Sequence, residues 1–162
     1  MMRSRADAFF VVCEGSMLCN QRARLVDAAL AGGADALLFI DSDMRFPADT
    51  IERLASRGKP VVGANCVQRS GRGTTAQRGG GLVALKRGVE QVDFIGFGVT
   101  LIQTSVLQAL PRPHFAMPFD GEKCIGEDIF FCRLARENGF TVWADHDLGR
   151  LVRHIGTIEH GA

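Results

Sequence analysis

The most constraining feature of this sequence is a short apolar run, Ala36–Ile40, that contains no polar residue and leads directly into two aspartates. An uninterrupted run of this length is typical of a strand covered on both faces. It follows an amphipathic segment at residues 18–30 and precedes a second helical pattern that starts at Pro47 and ends near Gly58. Another apolar run, residues 60–64, comes next. This alternation of helices and strands predicts an α/β architecture.

The length of the chain, 162 residues, predicts a single domain over residues 1–162. Residues 68–91 are rich in glycine and arginine, and we expect them to form a flexible loop within that domain. Apolar residues make up 46% of the chain and charged residues 23%, which excludes intrinsic disorder of the whole chain. The net charge of +1 shows no excess of positive charge of the kind that binds nucleic acid, so no nucleic-acid partner is expected.

The cysteines and the apolar runs indicate where the protein works. The five cysteines are odd in number and show no spacing typical of a metal site, so we expect reduced thiols. Reduced thiols are typical of the cytoplasm, and we therefore expect a cytoplasmic protein. No apolar run approaches the roughly 20 residues needed to span a bilayer, so no transmembrane segment is expected.

Three further segments have clear local patterns. The apolar residues from Ala8 to Cys13 predict a buried strand before the first helix. Residues 127–138 carry inward-facing apolar residues, two acids in the first turn and a glycine after the end, and so predict a helix. Residues 141–144 predict a closing strand.

Asp41 and Asp43 are the strongest candidates for chemistry. Two residues apart in an extended chain, their side chains point to the same side at the carboxyl end of a strand, where open α/β sheets bind ligands. Two carboxylates that face one way repel each other unless a cation or a proton relieves them, and Mg²⁺ or Mn²⁺ suits such oxygen ligands. For an isolated Asp-x-Asp, a solvated turn after the strand is the simpler explanation.

Glu127, Asp128 and His154 allow a functional and a structural interpretation. Acids in a first helical turn complement the helix dipole, which is the simpler explanation of Glu127 and Asp128. Alternatively, one of the two carboxylates is a general base. A lone histidine such as His154 is more often a surface or packed residue than a metal ligand.

The order of the motifs is more informative than any one of them. Along residues 16–157 the chain reads Asp-Ser-Asp-Met-x-Phe-Pro, Val-Val-Gly-Ala-Asn, Gly-x-Gly-Val-x-Leu-Ile, Gly-Glu-Asp-Ile-Phe-Phe-Cys and His-x-Gly. In this order the motifs resemble the GT-A glycosyltransferases of the family 2 type, shortened at the N-terminus. The resemblance implies a single-domain, Rossmann-like GT-A fold: a three-layer α/β/α sandwich with a mostly parallel mixed sheet.

The resemblance also implies a function, a metal-dependent transfer of a sugar from a nucleotide-diphosphate sugar to an acceptor hydroxyl, with inversion. The donor is expected to be a UDP-sugar, the metal Mn²⁺ or Mg²⁺, and the acceptor a carbohydrate, a lipid or a protein. The residues implied to hold the metal are Asp41, Asp43 and His154. Those implied to act on the acceptor are Asp128, as the base, and Glu127. Those implied to contact the donor, besides the two metal-binding aspartates, are Arg22, Gly96 and Gly98.

Two other functions stay open. One is a truncated protein that binds a sugar nucleotide or a partner without turnover, because the family's first strand and its nucleotide-base turn have no counterpart in this sequence. The other is a nucleotidyltransferase, which also combines an α/β sheet with an acidic metal site. A homodimer is one arrangement that would cover a sheet edge exposed by the shortening.

Overall fold

The structure is a computed structural model that describes residues 7–69, 71 and 73–156. Its helices are α1 (Leu18–Ala31), α2 (Thr50–Ser56), α3 (Thr104–Ala109), α4 (Glu127–Glu137) and α5 (His146–Gly149). Its strands are β1 (Ala36–Ile40), β2 (Met44–Arg45), β3 (Val61–Ala64), β4 (Ala76–Arg78), β5 (Gly81–Leu82), β6 (Val89–Val92), β7 (Phe94–Ile95), β8 (Val99–Gln103), β9 (Val142–Asp145) and β10 (Arg153–His154). The α/β class and the predicted α4 helix are confirmed.

The main sheet has five strands in the order β1-β8-β3-β9-β6. Only β3 and β9 pair in parallel, and the other three pairings are antiparallel. The prediction of a mostly parallel sheet is therefore wrong. A parallel pairing needs a long crossover, usually a helix, and the stretch between β3 and β8 contains strands and turns instead. β6 lies within that stretch and β8 follows it. Both strands are antiparallel to their neighbours in the sheet.

The apolar runs bury side chains on both faces of this sheet. On β3, Val61 packs into one core with α1, α3 and α4, whereas Val62 packs into a second core with α2 and α5. On β8, Ile102 and Leu101 divide in the same way between the two cores. Alternate side chains of a strand point to opposite faces, so a strand covered by helices on both sides needs an apolar residue at every position.

The glycine- and arginine-rich stretch differs from the predicted flexible loop because it contains β4, β5 and the start of β6. β4 pairs with β5 and β7 in a small three-stranded sheet, and Ala76 in β4 is fully buried. A fully buried side chain, Asn65 after β3, holds this sheet in place. It accepts the Ala76 N–H through Oδ1 at 2.9 Å and donates from Nδ2 to the carbonyl of Val83 at 2.8 Å.

The strand predicted for residues 8–13 is absent from the structure. These residues are described, but they form no strand, and the side chains of Phe10 and Val12 are 85% and 68% exposed. An apolar run with β propensity becomes a strand only where a partner offers a free edge in register. The Phe9 ring lies against Gly32, just past the end of helix α1. Within the described part of the chain, β1 is an edge strand.

A second small sheet pairs β2 with β10, which the sequence patterns did not predict. It joins the turn after β1 to the segment that follows α5. None of the helices in the described ranges is both long and apolar enough to cross a membrane.

Candidate functional site

The candidate site lies where β1 ends, and a short turn shapes it. The Asp41 N–H donates to the carbonyl of Gly98 at 3.0 Å, and the Met44 N–H donates to the carbonyl of Asp41 at 3.1 Å. Asp43 therefore occupies a tight turn between β1 and β2. Because β10 pairs with β2, His154 lies beside this turn, with its Nδ1 3.5 Å from Asp43 Oδ2. Two segments more than 100 residues apart thus meet at the carboxylate pair.

Arg22 connects this turn to α4. It is 4% exposed, and it donates from Nε to Glu127 Oε1 at 3.0 Å and from Nη2 to Asp41 Oδ1 at 3.3 Å. Its guanidinium lies over the rings of Phe39 and Phe97, 5.1 and 5.2 Å from their centroids. Glu127, itself 7% exposed, is therefore a buried carboxylate with a charged partner. Three predicted site residues thus meet here: Arg22 from α1, Asp41 from the end of β1 and Glu127 from α4.

Asp128 differs from the other acids of the site. Its Oδ1 accepts the N–H of Ile129 at 2.7 Å, and no ion pair with it is found among the described residues. Burial raises the pKa of the Asp128 carboxyl above its ordinary value, and the nearby charge of Glu127 raises it further. The pKa of Asp41 is also raised, mainly by burial, although Arg22 opposes the shift. Two carboxyl groups of the site therefore hold their protons more tightly than free aspartates.

The two predicted donor-side glycines occupy different places. A Cβ on Gly96 would lie 3.1 Å from Thr75 Cβ and 3.8 Å from Asp128 Oδ2, so Gly96 borders the Asp128 side of the site. A Cβ on Gly98 would lie 3.2 Å from Met44 Cε, and Met44 is buried. Gly98 thus packs behind the aspartate turn.

Arg69 contributes to the site beyond the residues predicted for it. Its Nη2 lies 2.6 Å from Asp43 Oδ2, although the side chain is 68% exposed. The basic composition of residues 68–91 was the only feature of the sequence that pointed to Arg69.

Cys66, which is buried, lies near Thr75, with Sγ 3.9 Å from Oγ1, and burial raises the pKa of its thiol. No pattern in the sequence indicated that Cys66 or Thr75 borders the site.

The predicted metal ligands are near one another but are turned toward cationic groups. Asp41 faces Arg22, and Asp43 faces Arg69. His154, itself one of the predicted ligands, lies 3.5 Å from Asp43. Over residues 7–156, with 70 and 72 left aside, no group of three or more His, Cys, Asp or Glu residues is arranged to hold a metal ion. Two carboxylates and an imidazole are nevertheless suitable donors for Mg²⁺ or Mn²⁺, which commonly complete their coordination with water and substrate phosphate. The metal site remains a prediction.

Comparisons with known proteins give a likeness in fold. No family model matches the sequence, and no curated protein matches it. Twenty-one chains of solved structures match. One is A197 from STIV, with a TM-score of 0.62, 20% sequence identity, and coverage of 91% of this chain and 83% of that chain.

These comparisons correct one prediction. The identification of the chain as a family 2 GT-A glycosyltransferase is wrong, because no family model matches the sequence and the supported relationship is a structural match to A197. At 20% identity the match establishes a shared fold. The chain is an α/β protein with a mixed five-stranded sheet whose fold is similar to that of A197 from STIV.

Proposed function

We propose that this protein binds a nucleotide-diphosphate sugar, with a UDP-sugar as the first candidate, and transfers the sugar to an acceptor hydroxyl. The observation that carries the proposal is that Arg22 binds both Asp41 and Glu127, so that the end of β1 and the start of α4 meet at one buried arginine. Asp41 and Asp43 each have an arginine as ion-pair partner, whereas Asp128 has no ion pair among the described residues. Group transfer needs these two environments: one that holds an anionic leaving group and one that accepts a proton.

The leaving-group side consists of Asp41, Asp43 and His154, which would hold Mn²⁺ or Mg²⁺. When bound, the cation offsets the negative charge that develops on the departing nucleoside diphosphate. Arg22 and Arg69 neutralise the two aspartates in the described arrangement. Arg69 is the more exposed of the two, so it is free to leave Asp43 and turn its guanidinium to a phosphate oxygen.

The acceptor side consists of Asp128 with Glu127. A raised pKa makes the Asp128 carboxylate a better proton acceptor, because its conjugate acid is weaker than that of a free aspartate. Glu127 does not compete for this role, since Arg22 binds it from a buried position. Asp128 would take the proton of the acceptor hydroxyl as that oxygen attacks the anomeric carbon, and transfer would invert the configuration.

The test measures binding and turnover separately. The whole chain is titrated with Mn²⁺ and a panel of nucleotide sugars by calorimetry, and release of the nucleoside diphosphate is followed with carbohydrate, lipid and protein acceptors. We expect Asp43→Asn to weaken metal-dependent binding. We expect Asp128→Asn to leave binding in place and to lower transfer by about 10²- to 10⁴-fold.

Asp27→Asn is the matched control, because Asp27 is an exposed carboxylate that pairs with Arg112 outside the site. It should behave like the unaltered protein in both measurements. Failure of every nucleotide sugar to bind with Mn²⁺ would overturn the proposal. Binding without turnover, unchanged by Asp128→Asn, would remove the transfer step and leave a sugar-nucleotide-binding protein.

A further inference from the structure

A cavity of about 540 Å³ adjoins the candidate site on the side of Asp43. Its positively charged lining residues are Arg69, Arg150 and Arg153; His154 also lines it, and Leu85 is among its apolar lining residues. The cavity volume falls within the range of small-molecule sites. None of the described residues that line it is acidic. The cavity is thus a cationic pocket with an apolar wall, and Arg69 and His154 each contact Asp43 at its border.

The guanidinium of Arg150 is positioned by the backbone, and no described carboxylate forms an ion pair with it. It donates from Nε and Nη2 to the carbonyl of Lys86 at 3.1 and 2.9 Å, and none of the ion pairs found in the described chain includes it. Asp147 is near enough to feel its charge, but that carboxylate already accepts from Arg57 at 3.3 Å and from the Gly88 N–H at 3.0 Å. The remaining N–H groups of Arg150 are available to a ligand.

Arg153 shows the same pattern. Its Nη1 donates to the backbone carbonyls of Arg150 and Val152, and no ion pair of Arg153 with a described carboxylate is found. In the β2·β10 pair it stands directly opposite Arg45. Like charges directly opposite each other destabilise a two-stranded pair, so this position has an electrostatic cost that an anion would remove.

We propose that this pocket binds the phosphate group of a second, phosphorylated substrate directly through Arg150 and Arg153, without a metal ion. Arginine suits this role because its planar guanidinium can donate two parallel hydrogen bonds to phosphate oxygens. The apolar wall at Leu85 would contact the organic part of the same molecule. The identification of that molecule as the acceptor rests on the proposed function, whereas phosphate binding by the pocket does not.

The experiment measures binding at low salt and without divalent metal. Glucose 1-phosphate, inorganic phosphate and UDP are each titrated into the whole chain by calorimetry. We expect glucose 1-phosphate to bind, and the double variant Arg150→Gln/Arg153→Gln to bind it at least about tenfold more weakly, because two charge-assisted contacts are lost. Asp43→Asn should retain this binding. Arg133→Gln, which alters an exposed arginine of α4, is the control and should change nothing.

Each outcome has one meaning. Absence of metal-free binding, or binding that the double variant does not weaken, would overturn the proposal. UDP that competes with glucose 1-phosphate without metal would overturn the assignment to the acceptor, because the pocket would then hold the donor's diphosphate. Arg153→Lys keeps the charge but not the planar guanidinium, and it should lose part of the affinity even if the double variant folds poorly. Failure of nucleoside-diphosphate release would leave these binding results unaffected.

Discussion

Two of the clusters of acidic and basic side chains in the described chain differ in how completely their charges are paired. In the first, the candidate site, Asp41 is 3.3 Å from Arg22, and Asp43 contacts an arginine that is 68% exposed. The second cluster, here called the Asp145 cluster, consists of Asp145, Arg57 and Asp147. Both Asp145 oxygens are used: Oδ2 accepts from Arg57 Nε at 2.7 Å, and Oδ1 accepts the Leu148 N–H at 2.9 Å.

The difference distinguishes a structural cluster from a reactive one. Asp145 is fully buried, and its two hydrogen bonds tie α2 and α5 to the end of β9. In the candidate site, by contrast, Asp41 and Asp128 have raised pKa values, and Asp128 has no ion pair among the described residues. Carboxylates that are fully paired stabilise a fold, whereas carboxylates that are incompletely paired remain available to ligands.

The largest effect on stability is expected from Asp145→Ala. The change would leave the Arg57 guanidinium without its buried partner and the Leu148 N–H without its cap, and should lower the free energy of unfolding by about 3 kcal/mol. Asp43→Ala in the candidate site should lower it by less than about 1 kcal/mol, because its partners are exposed or distant. Urea unfolding followed by circular dichroism measures both. Equal losses would show that the two clusters do not differ.

An intermediate effect is expected from Arg22→Met, which tests the one buried ion pair of the candidate site. The variant would leave Glu127 buried without its charged partner and should cost about 2 kcal/mol of unfolding free energy. Replacing both residues, as Arg22→Met/Glu127→Leu, should recover most of the loss, because an apolar pair of similar volume often substitutes for a buried ion pair. If the double variant is no more stable than Arg22→Met, the lost unfolding free energy comes from the packing of the Arg22 side chain against Phe39 and Phe97.

The smallest effect concerns pH, and the two clusters should respond with opposite signs. The Gly88 N–H lowers the pKa of Asp147, so the stability that Asp147 contributes is present above the ordinary aspartate pKa and is lost as pH falls through the lowered value. Burial raises the pKa of Asp128, so stability is lost as pH rises from the ordinary value through the raised one.

The two asparagine variants measure this difference. Asp147→Asn should be less stable than the unaltered protein at neutral pH and similar to it at strongly acidic pH. Asp128→Asn should be more stable at neutral pH, and its advantage should disappear in acid. Unfolding free energies from urea titrations over this pH range check both signs. The same sign for both variants would contradict the assigned causes of the pKa shifts.

The sequence predicts those parts of the fold that depend on local pattern. β1, β3 and α4 were expected close to their observed bounds, because an unbroken apolar run or a helical period reports burial along the segment itself. The direction of pairing is not local. Nothing in residues 99–103 distinguishes a parallel from an antiparallel strand, so the predicted sheet was wrong in this respect. Residues 8–13 have the composition of a strand but no pairing partner.

For the candidate site, too, the sequence predicts the residues that depend on local pattern and misses those that depend on pairing. Asp41, Asp43 and Asp128 follow a strand or begin a helix, and these element ends are visible in the sequence. Arg150 and Arg153 were not predicted as site residues. Arg150 follows the four-residue helix α5, and the position of Arg153 depends on the β2·β10 pair, which has two residues in each strand. Segments this short have no recognisable period, and only the folded chain brings them beside Asp43.

The buried amide of Asn65 has a consequence for the motions of the chain. Two of its side-chain hydrogen bonds hold residues 76–83, and the segment that carries Arg69 lies along the chain between Asn65 and that small sheet. The Ala76 amide proton, bound to a fully buried oxygen, should exchange with solvent far more slowly than amides of the exposed turn at Gly79 and Gly80. Asn65 thus limits how far the Arg69 segment can open without disturbing the main sheet.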